Sequence, residues 1–277
     1  MRTVLSALSV LLAVVLTAAA VPSLWIERNV VDEDGFVRLL APLSRDADFQ
    51  AALGKSLTTT AVSASGVPAP LRPAATELAE KTLEGLTSDP AFPAAWESTL
   101  RESHRLNFSP ATASTSAFTL ELRPLADVVL DRLGAGLGVG FSDAPSITVP
   151  VGNAQQRAAL TFAQDAAALA LPLSAGAVLA LLLGLLFARR RGTALAWAGG
   201  GLVVVAALLG AGTFLMASVA SSQGSQGSVA GVFAQRAGQL LADAFGPWIL
   251  GVAGAGAVFL IVGLVLAARQ RRLPAPQ

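Results

Sequence analysis

Hydrophobic positions along this chain follow two regimes. In four stretches apolar residues run almost without interruption. Elsewhere they recur at helical or strand intervals among polar neighbours. A helix needs about 20 apolar residues to cross the hydrocarbon core of a bilayer. The long runs therefore predict four spans, at residues 1–27, 166–188, 193–220 and 247–268, and none carries a charge in its middle. The segments between them are 28–165, a turn at 189–192, a loop at 221–246 and a tail at 269–277.

Within 28–165 the periodicity changes twice. Asp32, Glu33 and Asp34 suit a helix start. Phe36, Val37, Leu39, Leu40, Leu43, Phe49, Leu53 and Leu57 then recur mostly at three- and four-residue intervals, with Pro42 expected to break the run. VPAPLRP, residues 67–73, reads as a rigid connector, and Glu77 with Lys81 marks a short helix. In FPAAWESTLRESHRLNF, Phe92, Trp96 and Leu100 share one helix face. AFTLELRPL, residues 117–125, alternates as a strand does, and SITVPVG, residues 146–152, reads as a second strand. A parallel pairing is the working guess. From Asn153 a helical pattern runs toward residue 166 and predicts one long helix entering the second span.

Charge then orients the runs. Positive residues flanking spans are retained on the cytoplasmic side. Arg189, Arg190 and Arg191 separate spans two and three by a few residues, and Arg269, Arg271 and Arg272 follow span four. With Arg2 they predict both termini and the 189–192 turn in the cytoplasm, and 28–165 outside it. Acidic residues agree. Of 18 Asp and Glu, 17 lie in residues 23–165, and Asp243 lies between spans three and four. Residues 23–165 hold 11 basic and 17 acidic side chains, net −6, against seven arginines and no acid in the cytoplasmic segments. Such a face suits anionic lipid head groups; a nucleic-acid patch is disfavoured because the arginines abut the spans. The first run also competes as a cleavable signal peptide, with Ala18–Ala20 as the cleavage site. Its length and the following Trp25 favour an uncleaved anchor.

Candidate chemistry is sparse. There is no cysteine, hence no disulfide, thiolate metal site or cysteine nucleophile. His104 is the lone histidine, with Glu102 and Ser103 beside it. Adjacent helix residues point in different directions, so a structural histidine is favoured over a triad. GAGLGVGF, residues 134–141, matches neither a dinucleotide fingerprint nor a phosphate loop and reads as a helix cap and turn. Asp32, Glu33 and Asp34 lack the calcium-loop pattern. SSQGSQGS, residues 221–228, reads as a flexible linker, and Arg236 with Asp243 as one face of a helix resting on the membrane. No catalytic, metal or cofactor residue is assigned. Spans two to four hold no ionisable residue in their interiors for an ion pathway. They do hold small residues at packing spacing: Gly176, Ala180, Gly184 and Ala188 in span two, glycines 199–201, 210 and 212 in span three, and 251, 254 and 256 in span four.

ERNVVDEDGFVRLLAPLSRDADFQAAL after the first run, FPAAWESTLRESHRLNF, FTLELRPL and the RRR turn together resemble a family of actinobacterial four-span integral membrane proteins. Arg outnumbers Lys 17 to 2, as GC-rich coding would give. The resemblance implies one N-terminal span, an extracytoplasmic domain, three C-terminal spans and a retained first span, and brings no activity. The expected fold is a mainly α membrane protein: a four-helix transmembrane bundle with an extracytoplasmic α-rich domain containing a small β element. The expected location is the plasma membrane. The leading expected function is a non-catalytic scaffold, accessory subunit or sensor that contacts membrane lipid and a protein partner of the envelope, without nucleic acid. The alternatives are a protein that binds lipid or a small apolar ligand, and a hydrolase with a scattered carboxylate site. An exposed apolar patch on the outer domain distinguishes the first, an apolar cavity opening to the outer leaflet the second, and converging carboxylates of raised pKa the third.

Overall fold

The computed structural model describes residues 2–64, 70, 73, 90–108, 119–128, 148–150, 154–223 and 229–272. In chain order its elements are α1 (Arg2–Ile26), a π-helical turn (Glu27–Val31), α2 (Glu33–Leu40), a 3-10 turn (Ala41–Arg45), α3 (Ala47–Ala64), α4 (Phe92–Phe108), β1 (Thr119–Glu121), β2 (Thr148–Pro150), α5 (Ala154–Ala168), α6 (Ala170–Phe187), α7 (Arg191–Gln223) and α8 (Val229–Arg272). They form two compact units. The first comprises Met1–Val30, Phe162–Ser218 and Ala242–Gln277; the second comprises Val31–Thr161 and Val219–Leu241. The connector at 67–73 apart from residues 70 and 73, the Glu77/Lys81 helix, the glycine run at 134–141 and linker residues 224–228 lie outside the described residues.

The first unit contains the apolar helices. Among the described residues four are long and apolar enough to cross a membrane: Arg2–Val31, Ala170–Phe187, Arg191–Leu215 and Gly231–Gln270, the last of which begins in the second unit. Polar side chains inside them bond to carbonyls a turn away, as a dry environment requires. Thr17 Oγ1 donates to the Ala13 carbonyl at 2.8 Å, Ser174 Oγ to Ala170 at 2.7 Å and Thr213 Oγ1 to Gly210 at 2.8 Å. Between helices, the buried Ser6 hydroxyl donates to the Gly184 carbonyl at 2.7 Å.

Glycines fix how these helices run. A methyl group on Gly184 would lie 2.9 Å from Val10, and one on Gly176 would lie 3.3 Å from Leu16. Residue numbers rise on α1 as they fall on α6, so the two are antiparallel. Gly201 of α7 meets Val14 of α1. Between α7 and α8 the backbones touch: Gly199 faces Gly256 and Leu260, while Gly192 and Ala196 face Gly263 and Ala267. These registers gather the start of α1, the α6–α7 turn and the end of α8 at one end of the unit. That end carries Arg2, Arg189–Arg191 and the arginines that close α8. At the other end Trp25 Nε1 donates to the Ala244 carbonyl at 3.3 Å, the Trp25 ring meets Phe245 edge-on at 5.4 Å, and the Arg28 guanidinium lies 5.7 Å from the Trp248 ring.

The expected single helix into the second apolar run is corrected. It breaks at Leu169, between α5 and α6. Pro172 has no N–H to offer the Ala168 carbonyl, and the Leu169 N–H turns instead to Ala166 at 3.2 Å.

The second unit is a helical layer against a two-stranded sheet. The Asp32 carboxylate caps α2 by accepting the Gly35 N–H at 2.7 Å, and Asp46 caps α3 through the Phe49 N–H at 2.8 Å. Pro42 ends α2 as anticipated: the chain tightens to a 3-10 turn from Ala41. Phe92, Trp96 and Leu100 form the buried stripe of α4, packed with Phe36, Leu40, Phe49 and Leu120. Trp96 Nε1 donates to the Leu40 carbonyl at 3.0 Å and so ties α4 to α2. The strands pair antiparallel, with Leu120 opposite Val149, which corrects the parallel guess.

The start of α8 also belongs to this core. Phe233 and Ala237 are buried in it, with the Phe233 ring 6.1 Å from that of Phe49. Arg236 bonds to Asp46 at 3.2 Å and to Asp48. Both carboxylate partners of Arg236 lie within this unit.

Candidate functional site

The residues with catalytic potential meet at the α4–β1 contact. Ser103 is fully buried. Its hydroxyl donates to the Thr99 carbonyl at 2.6 Å and accepts the Glu121 N–H at 2.9 Å. Asn107 continues the seam: its amide nitrogen donates to the Ser103 and Thr119 carbonyls at 2.6 and 2.7 Å, and its oxygen accepts the Thr119 N–H at 3.1 Å. The Glu121 carboxylate accepts the Arg123 N–H at 3.1 Å. His104 stacks on Phe108 at 4.3 Å between centroids, with Phe36 at 5.2 Å. Ser103 therefore has its proton committed to a backbone carbonyl, and His104 sits in an aromatic stack. The arrangement joins a helix to a short strand whose backbone groups would otherwise lack partners.

Glu33 and Asp34 face α4. Arg101 reaches both, at 3.2 and 2.7 Å, and Arg105 lies 3.2 Å from Glu33. Burial opposes ionisation of Glu33, but hydrogen bonds from Arg105 and Arg101 outweigh it and hold its carboxyl below the usual range. The Arg101 hydrogen bond lowers Asp34 likewise, and the same two acids raise Arg101. Among the described residues no group of three or more His, Asp or Glu is placed to hold a metal ion.

A concave feature of a different kind lies in the first unit. It is a groove of about 1270 Å³ between α1 and the first half of α7. Its α1 wall runs from Thr3 to Ala18, and its α7 wall from Thr193 to Leu208, with Ala188, Arg189 and Arg190 at one end. Ordinary small-molecule sites span roughly 300–1,000 Å³, so this groove is large. Its walls are apolar and open: Leu11, Val15, Trp197, Val204 and Leu208 are all more than half exposed. Gly200 lies on its floor with no atom within 4 Å of where a side chain would begin.

The residues singled out from the sequence fall as follows. Gly176, Ala180 and Gly184 lie on the inner face of α6, with Gly176 and Gly184 against α1. Ala188 is the extended residue that ends α6 and lines the groove. Arg2 lines a separate small pocket with Leu5, Leu8 and Phe187. Arg189 and Arg190 are exposed at the groove mouth, Arg191 and Arg269 are exposed nearby in sequence to the helix ends, and Arg271 and Arg272 close α8. Sequence reasoning passed over Gly192 and Gly263, since a glycine's partner on another helix is set by register. It also passed over the groove, whose walls are some 190 residues apart in the chain. No protein family matches the chain, no curated protein is similar to it, and no solved structure matches it.

Proposed function

We propose that this chain is a four-span plasma-membrane protein that binds lipid in the groove between α1 and α7. Both termini and the α6–α7 turn face the cytoplasm, and the second unit lies outside. The observation that carries this reading is the groove itself: open, apolar along its length and arginine-lined at one end. Gathering of the arginines at one end of the bundle supports the orientation. The acids of the first unit, Glu27, Asp165 and Asp243, all belong to segments at the opposite end.

The geometry favours this reading over the scaffold and the hydrolase. A scaffold was expected to show an apolar patch on the outer unit. Every exposed large hydrophobic side chain among the described residues belongs to the first unit. A carboxylate hydrolase was expected to show raised carboxyl pKa values, and Glu33 and Asp34 are both lowered. The groove differs from expectation in one respect. It lies toward the arginine end, which under this topology is the cytoplasmic leaflet.

A photoactivatable phospholipid incorporated into membranes holding the full chain tests the reading. On illumination, adducts are expected to concentrate on groove residues such as Trp197, Val204 and Leu11. An even spread over exposed residues outside the groove, such as Leu171, Leu182, Leu250 and Ile261, would describe ordinary boundary lipid and overturn it.

A further inference from the structure

We infer that the groove selects an anionic phospholipid from the leaflet at the arginine end of the bundle. This rests on the lipid-binding reading above and adds the identity of the head group and the leaflet. Three observations carry it.

The first is charge. Arg189 and Arg190 line one end of the groove and are exposed there. No Asp or Glu occurs in residues 1–26, 166–242 or 244–277. The two helices that wall the groove, and the turn between α6 and α7, therefore offer these guanidinium groups no carboxylate. A phosphodiester matches the planar donor fork of arginine.

The second is length. The α1 wall from Thr3 to Ala18 extends about 22 Å at 1.5 Å per residue. Half of a bilayer, head-group zone included, is about 20–22 Å. The groove accommodates one leaflet's lipid from head group to chain end.

The third is the order of its lining. Polar groups (Thr3, Ser6, Thr193 and the two arginines) cluster at one end, and the remainder toward Ala18 and Leu208 is apolar. That is the polarity profile of a phospholipid. A second copy of this chain would bring apolar helix to the apolar part, but its own helices at that level have no acid to meet the arginines.

The test is native mass spectrometry of the purified full chain, titrated with phosphatidylglycerol or phosphatidylcholine of matched acyl chains. Wild type should retain phosphatidylglycerol about thirtyfold better. In Arg189→Gln/Arg190→Gln the preference should vanish, with phosphatidylglycerol retained about thirtyfold less, from about 1 kcal/mol per arginine. Phosphatidylcholine retention should be unchanged. Gly200→Leu, which fills the groove where nothing else stands, should lose both lipids. If that variant fails to assemble, Val204→Trp fills the same space from an exposed position. Equal retention of the two lipids by wild type overturns the anionic inference and leaves lipid binding standing. Retention of neither, or of both unchanged in the filled variants, overturns the lipid-binding reading too. A dimer that excludes lipid assigns the groove to a second copy and overturns both.

Discussion

Replacing Gly199 by alanine should loosen the contact between α7 and α8, whereas replacing Gly200 should not. The two residues are neighbours on one helix, so intrinsic helix preference is the same for both. Alanine gains about 1 kcal/mol over glycine in a helix. At Gly200 no atom lies within 4 Å of the added methyl group, so that gain is kept. At Gly199 the methyl would lie 2.6 Å from the Gly256 carbonyl oxygen and 2.8 Å from the Leu260 Cα, where ordinary contact begins at 3.4 Å. The neighbouring atoms are backbone and cannot rotate away. The helices must part locally by about 1 Å, and overpacking of this kind costs about 1–3 kcal/mol. Set against the helix gain, Gly199→Ala should lose up to about 2 kcal/mol and differ from Gly200→Ala by about 1–3 kcal/mol. Equilibrium unfolding of the full chain in mixed detergent micelles measures both. Gly256 faces Gly199, so the Gly199→Ala/Gly256→Ala double variant should lose less than the two singles combined: once the helices have parted, the second methyl meets a wider gap. Equal stability of Gly199→Ala and Gly200→Ala would refute the direct backbone contact.

Three further outcomes follow from the second unit and the topology. The Thr99 hydroxyl is fully buried with no hydrogen-bond partner among the described residues, so Thr99→Val should leave thermal stability unchanged or raise it by about 1 kcal/mol, whereas Asn107→Ala should cost about 1–3 kcal/mol by stranding the Thr119 backbone groups. Glu33 and Asp34 have lowered pKa values in the folded protein; their contribution is complete above the unfolded carboxyl pKa of about 4 and is lost as pH falls through the lower folded values. Arg101→Gln should therefore destabilise modestly at neutral pH and low salt, and its difference from wild type should disappear in acid titration and in about 1 M salt. The chain has no cysteine, so Ser98→Cys should react with an impermeant maleimide on intact cells and Gln270→Cys only after permeabilisation; the reverse pattern would invert the topology.

Some of this architecture was legible in the chain because its causes are local. Long apolar runs and Pro42 act on their own segments, and the 92–96–100 stripe needs only helical spacing. Asp32 was placed at a helix start and is found capping one. What escaped depends on register between distant segments. Residues 229–241 read as part of the connection between spans three and four, with a helix face at Arg236 and Asp243 but no place in the core, because Phe233 and Ala237 are a sparse apolar face; their partner Phe49 lies far earlier in the sequence. Strand direction escaped because the connection between residues 121 and 148 is long enough for either sense. The single-residue interruption at Leu169 escaped as well, although its cause, Pro172, is local. The groove was illegible for the same reason as the Gly199–Gly256 contact: α1 and α7 each look like any apolar helix until they are set side by side.

Native mass spectrometry of the protein released from its own membrane, with no lipid added, tests the central claim most directly. The account predicts the mass of a chain that retains residues 1–20, carrying one phospholipid that the Gly200→Leu variant lacks. A mature chain beginning after Ala20 would have no α1 wall to the groove. That result, or a full-length chain released consistently bare, would contradict the account.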